Sequence, residues 1–496
     1  MVTGSFSYSA TFETTQLTSI GREDIFIAKY DGRGNLLWVR QAGGTGFGEI
    51  GSGISSDTLG NIYVTGGFAG NATFGTTQLT GYGNLTDTFI AKYDPDGNLI
   101  WVRHSGGSSL DLGRGITTDN TGNSYIIGSF GNNALFGIPL TSRGDFDIFI
   151  AKLGPDHYYL WTNQAGGTSI DQGFAITTDN TGNCYVTGSF VGTATFGNTQ
   201  ITNSGSHDIF IAKYDSNGNF LWVKKAGGTI EDRGTGITTD NAGNCYITGY
   251  FWDTATFGTT QLTSSGGYDI FIAKYDSNGN FLWAKQAGGK NADQGLGITS
   301  DNKGNIYVTG SFSDSATFGV HRIASYGYDD LFVAKYNVNG NLLWVKQAGG
   351  IRSDVGSGIT TDNKGSIYLT GSFQYGATFG SIVLNGEGGF IAKIAEVTDI
   401  KENSKSEIPS EFSLSQNYPN PFNPSTKITV VLPEESKIKL SLYNNLGEEI
   451  EVLIEGIKSA GRHEINFEAK GLSSGVYFYS LEYIKGKITK KMTLMR

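Results

Sequence analysis

Apolar and polar positions along this chain repeat with a unit of about 61 residues. Within one unit, four short segments rich in Val, Ile, Thr, Tyr and Phe are separated by Gly, Asn and Asp, which predicts four β-strands. We name them A to D, and in one copy they are Gly236–Asp240, Asn244–Phe251, Asp269–Asp276 and Asn280–Ala287. Strands B and C are apolar on both alternations, which predicts a sheet covered on both faces.

The connections between these strands predict how they are arranged. The A–B turn Asp240–Asn244 and the C–D turn Asp276–Asn280 each place a small residue before Gly, the chemistry of a tight hairpin. Four antiparallel strands in a meander, repeated around an axis, predict a β-propeller with strand A innermost and the Trp of strand D buried between blades. The shorter rungs of a β-helix and the 3.6-residue period of an α-solenoid fit the sequence less well.

The repeat pattern also carries a family resemblance. GIxxDxxGNxYVTGSF followed by DxFIAKYDxxGNxLWV resembles the SBBP family of bacterial β-propeller repeats and, in outline, the NHL repeat, over residues 1 to 396. The resemblance implies a fold and does not imply one chemistry.

Counting the strands gives about seven blades, of which the first and the last are incomplete. Strands B and C occur seven times, and strands A and D six times, because the pattern starts at MVTGSF in the middle of a repeat. We therefore expect the natural protein to extend upstream by one D and one A strand and by an export signal.

The composition changes after residue 396. Residues 397–411 are charged and aperiodic, as in a linker, and residues 412–496 contain prolines followed by alternating segments typical of an Ig-like β-sandwich. This third segment resembles the type A C-terminal sorting domain of the type IX secretion system of Bacteroidetes-related bacteria. The matching residues are Tyr418, Pro419, Asn420, Pro421, Phe422, Asn423, Pro424, Gly475, Tyr477, Lys490 and Lys491.

The resemblance implies export to the periplasm and then passage across the outer membrane, with the type IX machinery as partner. It predicts a secreted or outer-membrane surface protein whose signal peptide is lost by truncation. A plain Ig-like accessory domain is the alternative. The net charge of −10 argues against nucleic acid as a partner, and no apolar run is long enough for a transmembrane segment.

Two sets of acids recur in the repeat. One precedes strand A, at Glu49, Asp111, Asp171, Asp232, Asp293 and Asp354, and the other opens strand C, at Asp24, Asp87, Asp147, Asp208, Asp269 and Asp330. The D–A and B–C connections emerge on the same side of a propeller, so both sets are candidates for acidic rings that bind a cation or a basic ligand. The alternative is that each carboxylate caps backbone N–H groups of its own loop.

A third candidate lies in the B–C connections, which are the longest and most variable at about 17 residues. Five residues there break the repeat, and exposed aromatics beside an arginine are typical binding anchors. They are Tyr250, Trp252, His321, Arg322 and Tyr326. Aromatic packing beneath the loop is the alternative.

The sequence contains no catalytic constellation, so we predict that the protein is not an enzyme. No cofactor or metal is predicted either, with calcium left open because the DxNGN turns resemble calcium loops that lack the final acid. The favoured function is a surface binding or adhesion module for an extracellular glycan or protein. A secreted propeller hydrolase or lyase and an architectural surface-layer component are the alternatives.

Overall fold

A computed structural model describes residues 1–362, 365–395, 412–458, 461–484 and 486–495. The chain divides into two compact units, Met1–Glu396 and Val397–Arg496. Regular structure in the described residues is β-strand throughout, so the predicted all-β class is confirmed. The predicted linker at 397–411 lies outside the described residues.

The first unit is built from antiparallel sheets in which A pairs with B, B with C, and C with D. The A strands are Ile50–Ser56, Asp111–Thr118, Gln172–Thr178, Asp232–Thr239, Gln294–Ser300 and Val355–Thr361. The B strands are Val2–Phe12, Ile62–Ala69, Ser124–Phe136, Cys184–Phe190, Cys245–Phe257, Ile306–Phe318 and Ser366–Phe373. The C strands are Thr15–Tyr30, Thr86–Tyr93, Ile138–Leu153, Asp208–Tyr214, Thr260–Tyr275, His321–Tyr336 and Gly388–Ala395. The D strands are Leu36–Gly44, Leu99–Gly107, Tyr159–Gly167, Phe220–Gly228, Phe281–Gly288 and Leu342–Ala348.

The A strands form the inner ring of the unit. Neighbouring A strands lie side by side, and hydroxyl groups at their ends link one blade to the next. Thr239 Oγ1 donates to Thr178 O at 3.0 Å, and Ser300 Oγ donates to Thr239 O at 2.8 Å. The B and C strands behind this ring are almost wholly buried, because each packs against blades on both faces.

The turns have the conformation that their sequence predicts. In the A–B turn that starts at Asp240, its carboxylate accepts bonds from the N–H groups of Ala242 and Asn244 at 3.0 and 2.9 Å. Gly243 has a φ of 75°, a left-handed conformation that glycine adopts without a steric penalty.

The long B–C connections are mostly not loops, which corrects the prediction. The B and C strands continue beyond their own blade as a hairpin arm, with a register break between Trp252 and Thr254 in the fifth blade. The arm pairs with the end of the preceding D strand, where Gly227 faces Thr256 and Gly228 faces Ala255. In three blades the arm has separate strands, which are Asn71–Phe74, Thr77–Thr80, Thr193–Phe196, Thr199–Thr202, Ala377–Phe379 and Ile382–Leu384.

The recurring Lys, Tyr and Trp residues join adjacent blades. Lys213 Nζ and Trp222 Nε1 both donate to Ser277 O in the C–D turn of the next blade, at 3.0 and 3.2 Å. The same lysine lies 4.6 Å from the ring centroid of Tyr185, a cation–π contact. The tryptophans are half-buried, not buried as predicted, because strand D is the outer strand.

The same contact connects the last blade to the first. Lys393 Nζ donates to Gly32 O at 3.1 Å, and Gly32 occupies the C–D turn position that Ser277 occupies in the fifth blade. The first blade has strands B, C and D and the last blade has A, B and C, so both end blades are three-stranded, as predicted.

The second unit is a sandwich of a three-stranded and a four-stranded antiparallel sheet. Leu, Ile, Val and Phe residues from both sheets form one core. Its strands are Ser413–Leu414, Ser425–Leu432, Ser436–Tyr443, Glu449–Lys458, Gly461–Glu468, Gly475–Tyr483 and Gly486–Leu494. This is the predicted Ig-like arrangement.

Candidate binding site at the inner ring

Both sets of repeated acids lie inside the propeller. Every member is fully buried, so neither set lines an open acidic ring. Five of the six acids before strand A bind backbone N–H groups, as the alternative interpretation proposed, whereas both carboxylate oxygens of Glu49 are buried without a hydrogen-bond partner. Asp232 accepts bonds from the N–H groups of Gly228 at 2.7 Å and Trp252 at 3.2 Å. Equivalent bonds are made by Asp111, Asp171, Asp293 and Asp354.

The two sets meet in pairs at the blade junctions. Asp208 Oδ1 and Asp232 Oδ2 lie 2.8 and 2.9 Å from the point where a Cβ atom on Gly227 would sit. Asp208 Oδ2 accepts the Ser204 N–H at 3.0 Å, but its Oδ1 is buried without a hydrogen-bond partner. Burial and, second to it, the neighbouring charge of Asp208 raise the pKa of Asp232 to about 7, and burial raises the pKa of Asp208 to about 6. These carboxyl groups therefore retain protons well above the usual range for Asp.

The five predicted ligand-binding residues fall into two groups in neighbouring blades. Tyr250 and Trp252 both contact Tyr268, with ring centroids 4.9 and 5.2 Å apart. His321, Arg322 and Tyr326 lie on the exposed hairpin arm of the next blade, where Arg322 Nη2 donates to Ser315 Oγ at 2.8 Å.

The first group belongs to a larger constellation on three consecutive blades, which we call the Arg–aromatic cluster. It comprises Arg114, Phe174, Glu231, Arg233, Tyr250, Trp252 and Tyr268. The guanidinium carbons of Arg114 and Arg233 lie 5.0 and 5.7 Å from the ring centroid of Phe174. These three residues come from adjacent A strands, so the cluster lies on the inner ring at the end where the D–A connections enter it.

Glu231 supplies negative charge to the cluster. Its Oε1 lies 2.5 Å from Arg233 Nε, and its Oε2 accepts the Tyr268 hydroxyl at 2.9 Å. The ion pair with Glu231 supplies Arg233 with an acid from its own cluster. Both oxygens of Glu231 are therefore already engaged within the cluster.

Arg114 has no comparable acid. The Nε of Arg114 is buried without a hydrogen-bond partner, and none of the described ion pairs includes Arg114. Burial lowers the pKa of Arg114, and the positive charge of Arg233 lowers it further. Arginine nevertheless remains charged at neutral pH, so the inner ring holds an incompletely compensated positive charge.

Sequence reasoning found Tyr250 and Trp252 but missed Arg114, Phe174 and Arg233. A usable signal was present, since Arg114 and Phe174 occupy a slot of strand A where other repeats have Ser52, Thr235, Leu296 and Ser357. What the sequence did not reveal is that the side chains of Arg114 and Arg233 lie over the ring of Phe174.

Two other places in the described part of the propeller have features of a binding site. Arg352 lies between the rings of Tyr328 and Tyr375, at 5.4 and 5.5 Å, but it is exposed. A cavity of about 490 Å³ is lined by the A–B turns of the third and fourth blades together with Lys152 and Ser216. That lining consists of the same Asp, Asn, Thr and Lys residues that build every blade junction.

The described residues contain neither a metal-binding cluster nor a membrane-spanning helix. No three His, Cys, Asp or Glu side chains within them converge as a metal site. Cys184 and Cys245 are free, buried thiols. The described region also contains no helix with the length and apolarity needed to cross a membrane.

In the second unit, the proline-rich motif docks on the last strand. Phe422 is buried, its N–H donates to Thr493 O at 2.9 Å, and Asn420 Oδ1 accepts the Thr493 N–H at 2.9 Å. Tyr418 is exposed. Lys491 is exposed too, and the next residue of the same strand, Met492, is buried in the core. Peptide bonds before Pro419, Pro421 and Pro424 are cis. The two sequence features of the resemblance therefore form one structural element.

Comparison with known proteins identifies both parts. Residues 416–495 match the secretion system C-terminal sorting domain, and residues 37–66, 282–311 and 343–372 match the SBBP β-propeller repeat.

Two curated relatives are similar to this chain in sequence. An uncharacterized WD repeat-containing protein of Acanthamoeba polyphaga mimivirus is 27% identical over 446 residues, covering 72% of this chain and 32% of that protein. The regulatory protein FlaEY of Caulobacter vibrioides is 25% identical over 197 residues, covering 38% and 20%. The chain thus spans about a third and a fifth of the length of these relatives.

A solved structure of PorZ, described as an essential surface component of the type IX secretion system of Porphyromonas gingivalis, is 12% identical. The match covers 97% of this chain and 74% of that chain at a TM-score of 0.17. The family matches, together with the sheet topology, show a secreted or cell-surface protein of SBBP-type β-propeller repeats with a C-terminal type IX sorting domain.

Proposed function

We propose that this propeller is a binding module for an extracellular polysaccharide and that it holds the ligand, without chemical change, at the Arg–aromatic cluster. The observation that carries the proposal is the convergence of Trp252, Tyr268 and Tyr250 with two arginines at one end of the inner ring. Binding sites combine aromatic faces with a few polar groups that fix orientation, and this is the composition of the cluster.

The aromatic side chains suit a sugar ring. The Trp252 side chain is 41% exposed, so one face remains available while its edge rests on Tyr268. In the equivalent slots other blades have Ser313 and Gly131, which offer no such face. A pyranose ring stacks its C–H face on an aromatic ring and exchanges hydrogen bonds with nearby polar groups.

The experiment is affinity electrophoresis of the whole chain through gels containing single polysaccharides, with Trp252→Ala as the variant. We expect retardation in at least one polysaccharide and its loss in Trp252→Ala. Tyr158→Ala is the matched control, because Tyr158 is a 60% exposed aromatic in a C–D turn and lies outside the cluster.

Two outcomes oppose the proposal. Shortening of the polysaccharide during incubation would favour the secreted hydrolase or lyase. Unretarded migration in every gel, together with ordered arrays of the protein in electron micrographs, would favour the architectural surface-layer component.

A further inference from the structure

The cluster holds more positive charge than its own acid balances. Arg114 and Arg233 both lie over the ring of Phe174, and Glu231 is the acid in contact with Arg233. The Nε–H group of Arg114 is buried and lacks a hydrogen-bond partner, although buried donors are normally satisfied, whereas Arg233 is ion-paired with Glu231. An unpaired buried donor on a charged group is costly for the free protein.

This arrangement contrasts with the rest of the molecule. The chain carries a net charge of −10, so its overall field repels polyanions. The net negative charge of the chain therefore does not explain why an unpaired cation lies on the inner ring. A group that arrives from outside and bears negative charge would pair with the guanidinium of Arg114, because guanidinium groups match the geometry of carboxylate and sulfate oxygens.

We infer that the polysaccharide bound by the cluster is anionic and that Arg114 is the residue that recognises its carboxylate or sulfate group. This inference rests on the proposed function and adds the substrate class to it. Trp252 and Tyr268 would contact the sugar ring, Arg114 the charged substituent, and Arg233, already held by Glu231, would support the same charge.

Dextran sulfate and neutral dextran provide a matched pair of probes, because they share a backbone and differ in the charged group. We expect the whole chain to bind dextran sulfate, with an affinity that falls as salt is raised, and to bind dextran much more weakly. Polygalacturonate tests a carboxylate in place of a sulfate. Poly-glutamate tests an acidic peptide, and binding as tight as that of the polysaccharides would overturn the assignment to a saccharide.

The variant is Arg114→Gln, with Arg22→Gln as control. Arg22 is an exposed arginine on the first blade, so its replacement changes the net charge equally but leaves the cluster intact. We expect Arg114→Gln to weaken dextran sulfate binding about 10- to 100-fold, the range for a lost hydrogen bond to a charged group, and Arg22→Gln to have no effect.

Thermal unfolding separates recognition from a structural role. Because Arg114 is unpaired, we expect Arg114→Gln to melt at the same temperature as the parent or higher, as is common when a binding-site charge is removed. A lower melting temperature together with unchanged dextran sulfate binding would overturn the inference.

Failure of this inference differs from failure of the proposed function. Equal binding of dextran and dextran sulfate, lost in Trp252→Ala but retained in Arg114→Gln, would leave a saccharide site and refute the anionic class. If the parent protein bound no polysaccharide at all, both this inference and the proposed function would be refuted.

Discussion

Replacing Asp269 with Asn should stabilise the propeller at alkaline pH much more than at acidic pH. Asp269 is fully buried and pairs with Asp293 across a blade junction. Its carboxylate accepts the Ser265 N–H at 3.1 Å, while Oδ1 is buried without a partner. An Asn amide can accept that same bond and donate an N–H toward Asp293, but it cannot ionise.

The magnitude follows from proton linkage. Burial raises the pKa of Asp269 from 3.8 to about 6, so the folded state binds this proton more tightly than the unfolded chain does. The stabilisation is therefore complete below the unfolded pKa and is lost as pH rises through the folded pKa. At 1.36 kcal/mol per pH unit, the wild type loses about 3 kcal/mol by pH 8 and about 1 kcal/mol by pH 4.5. The Asn variant avoids this loss, so its advantage should be about 2 kcal/mol larger at pH 8.

Urea unfolding followed by tryptophan fluorescence measures this difference. All seven tryptophans lie between residues 38 and 344, so the signal reports on the propeller alone. The control is Asp276→Asn in the C–D turn of the same blade. Partial burial raises the pKa of Asp276, but bonds from Asn280 outweigh it and the net pKa is lowered. Its contribution has the opposite sign: it is present above the unfolded pKa and lost as pH falls.

Equal shifts of the Asp269→Asn midpoint at both pH values would refute the reasoning. Destabilisation of the Asp269→Asn variant at pH 8 in the presence of calcium, but not with a chelator, would also refute the reasoning. In that case the carboxylate pair binds a cation at the place where we infer a proton.

Three further predictions concern other contacts. Gly227→Ala should lower the urea midpoint substantially, because Gly227 has a φ of 142° and a Cβ there would meet both Asp208 and Asp232. The control is Gly319→Ala, because Gly319 is exposed and no atom lies near its Cβ position, and it tests whether the carboxyl pair is the cause. Phe422→Ala should destabilise the C-terminal sandwich by about 3–5 kcal/mol, seen as loss of its own transition by circular dichroism, and an unchanged melt would show that the motif does not anchor the last strand. Residues 412–496 fused to a reporter with a signal peptide should reach the cell surface of a type IX-competent host, and removal of residues 490–496 should trap the reporter in the periplasm.

The sequence alone was sufficient wherever the information is local. Strand positions follow from period-2 patterns of β-branched and aromatic residues, and the turns follow from Asp, Asn and Gly at fixed offsets, as at Asp240 and Gly243. Each such feature depends on residues a few positions apart, and repetition confirms it several times. The C-terminal motifs identified the sorting domain in the same way.

Tertiary structure alone decided which residues meet across blades. The hairpin arm that pairs Ala255 with Gly228, the buried contact of Asp208 with Asp232, and the approach of Arg114 and Arg233 to Phe174 join different repeats or different strands. Spacing within one repeat does not reveal such contacts, because they depend on how far each blade is rotated from its neighbour. Burial also depends on that rotation, so the same repeated aspartates that suggest an acidic surface in the sequence are protonatable groups in the interior.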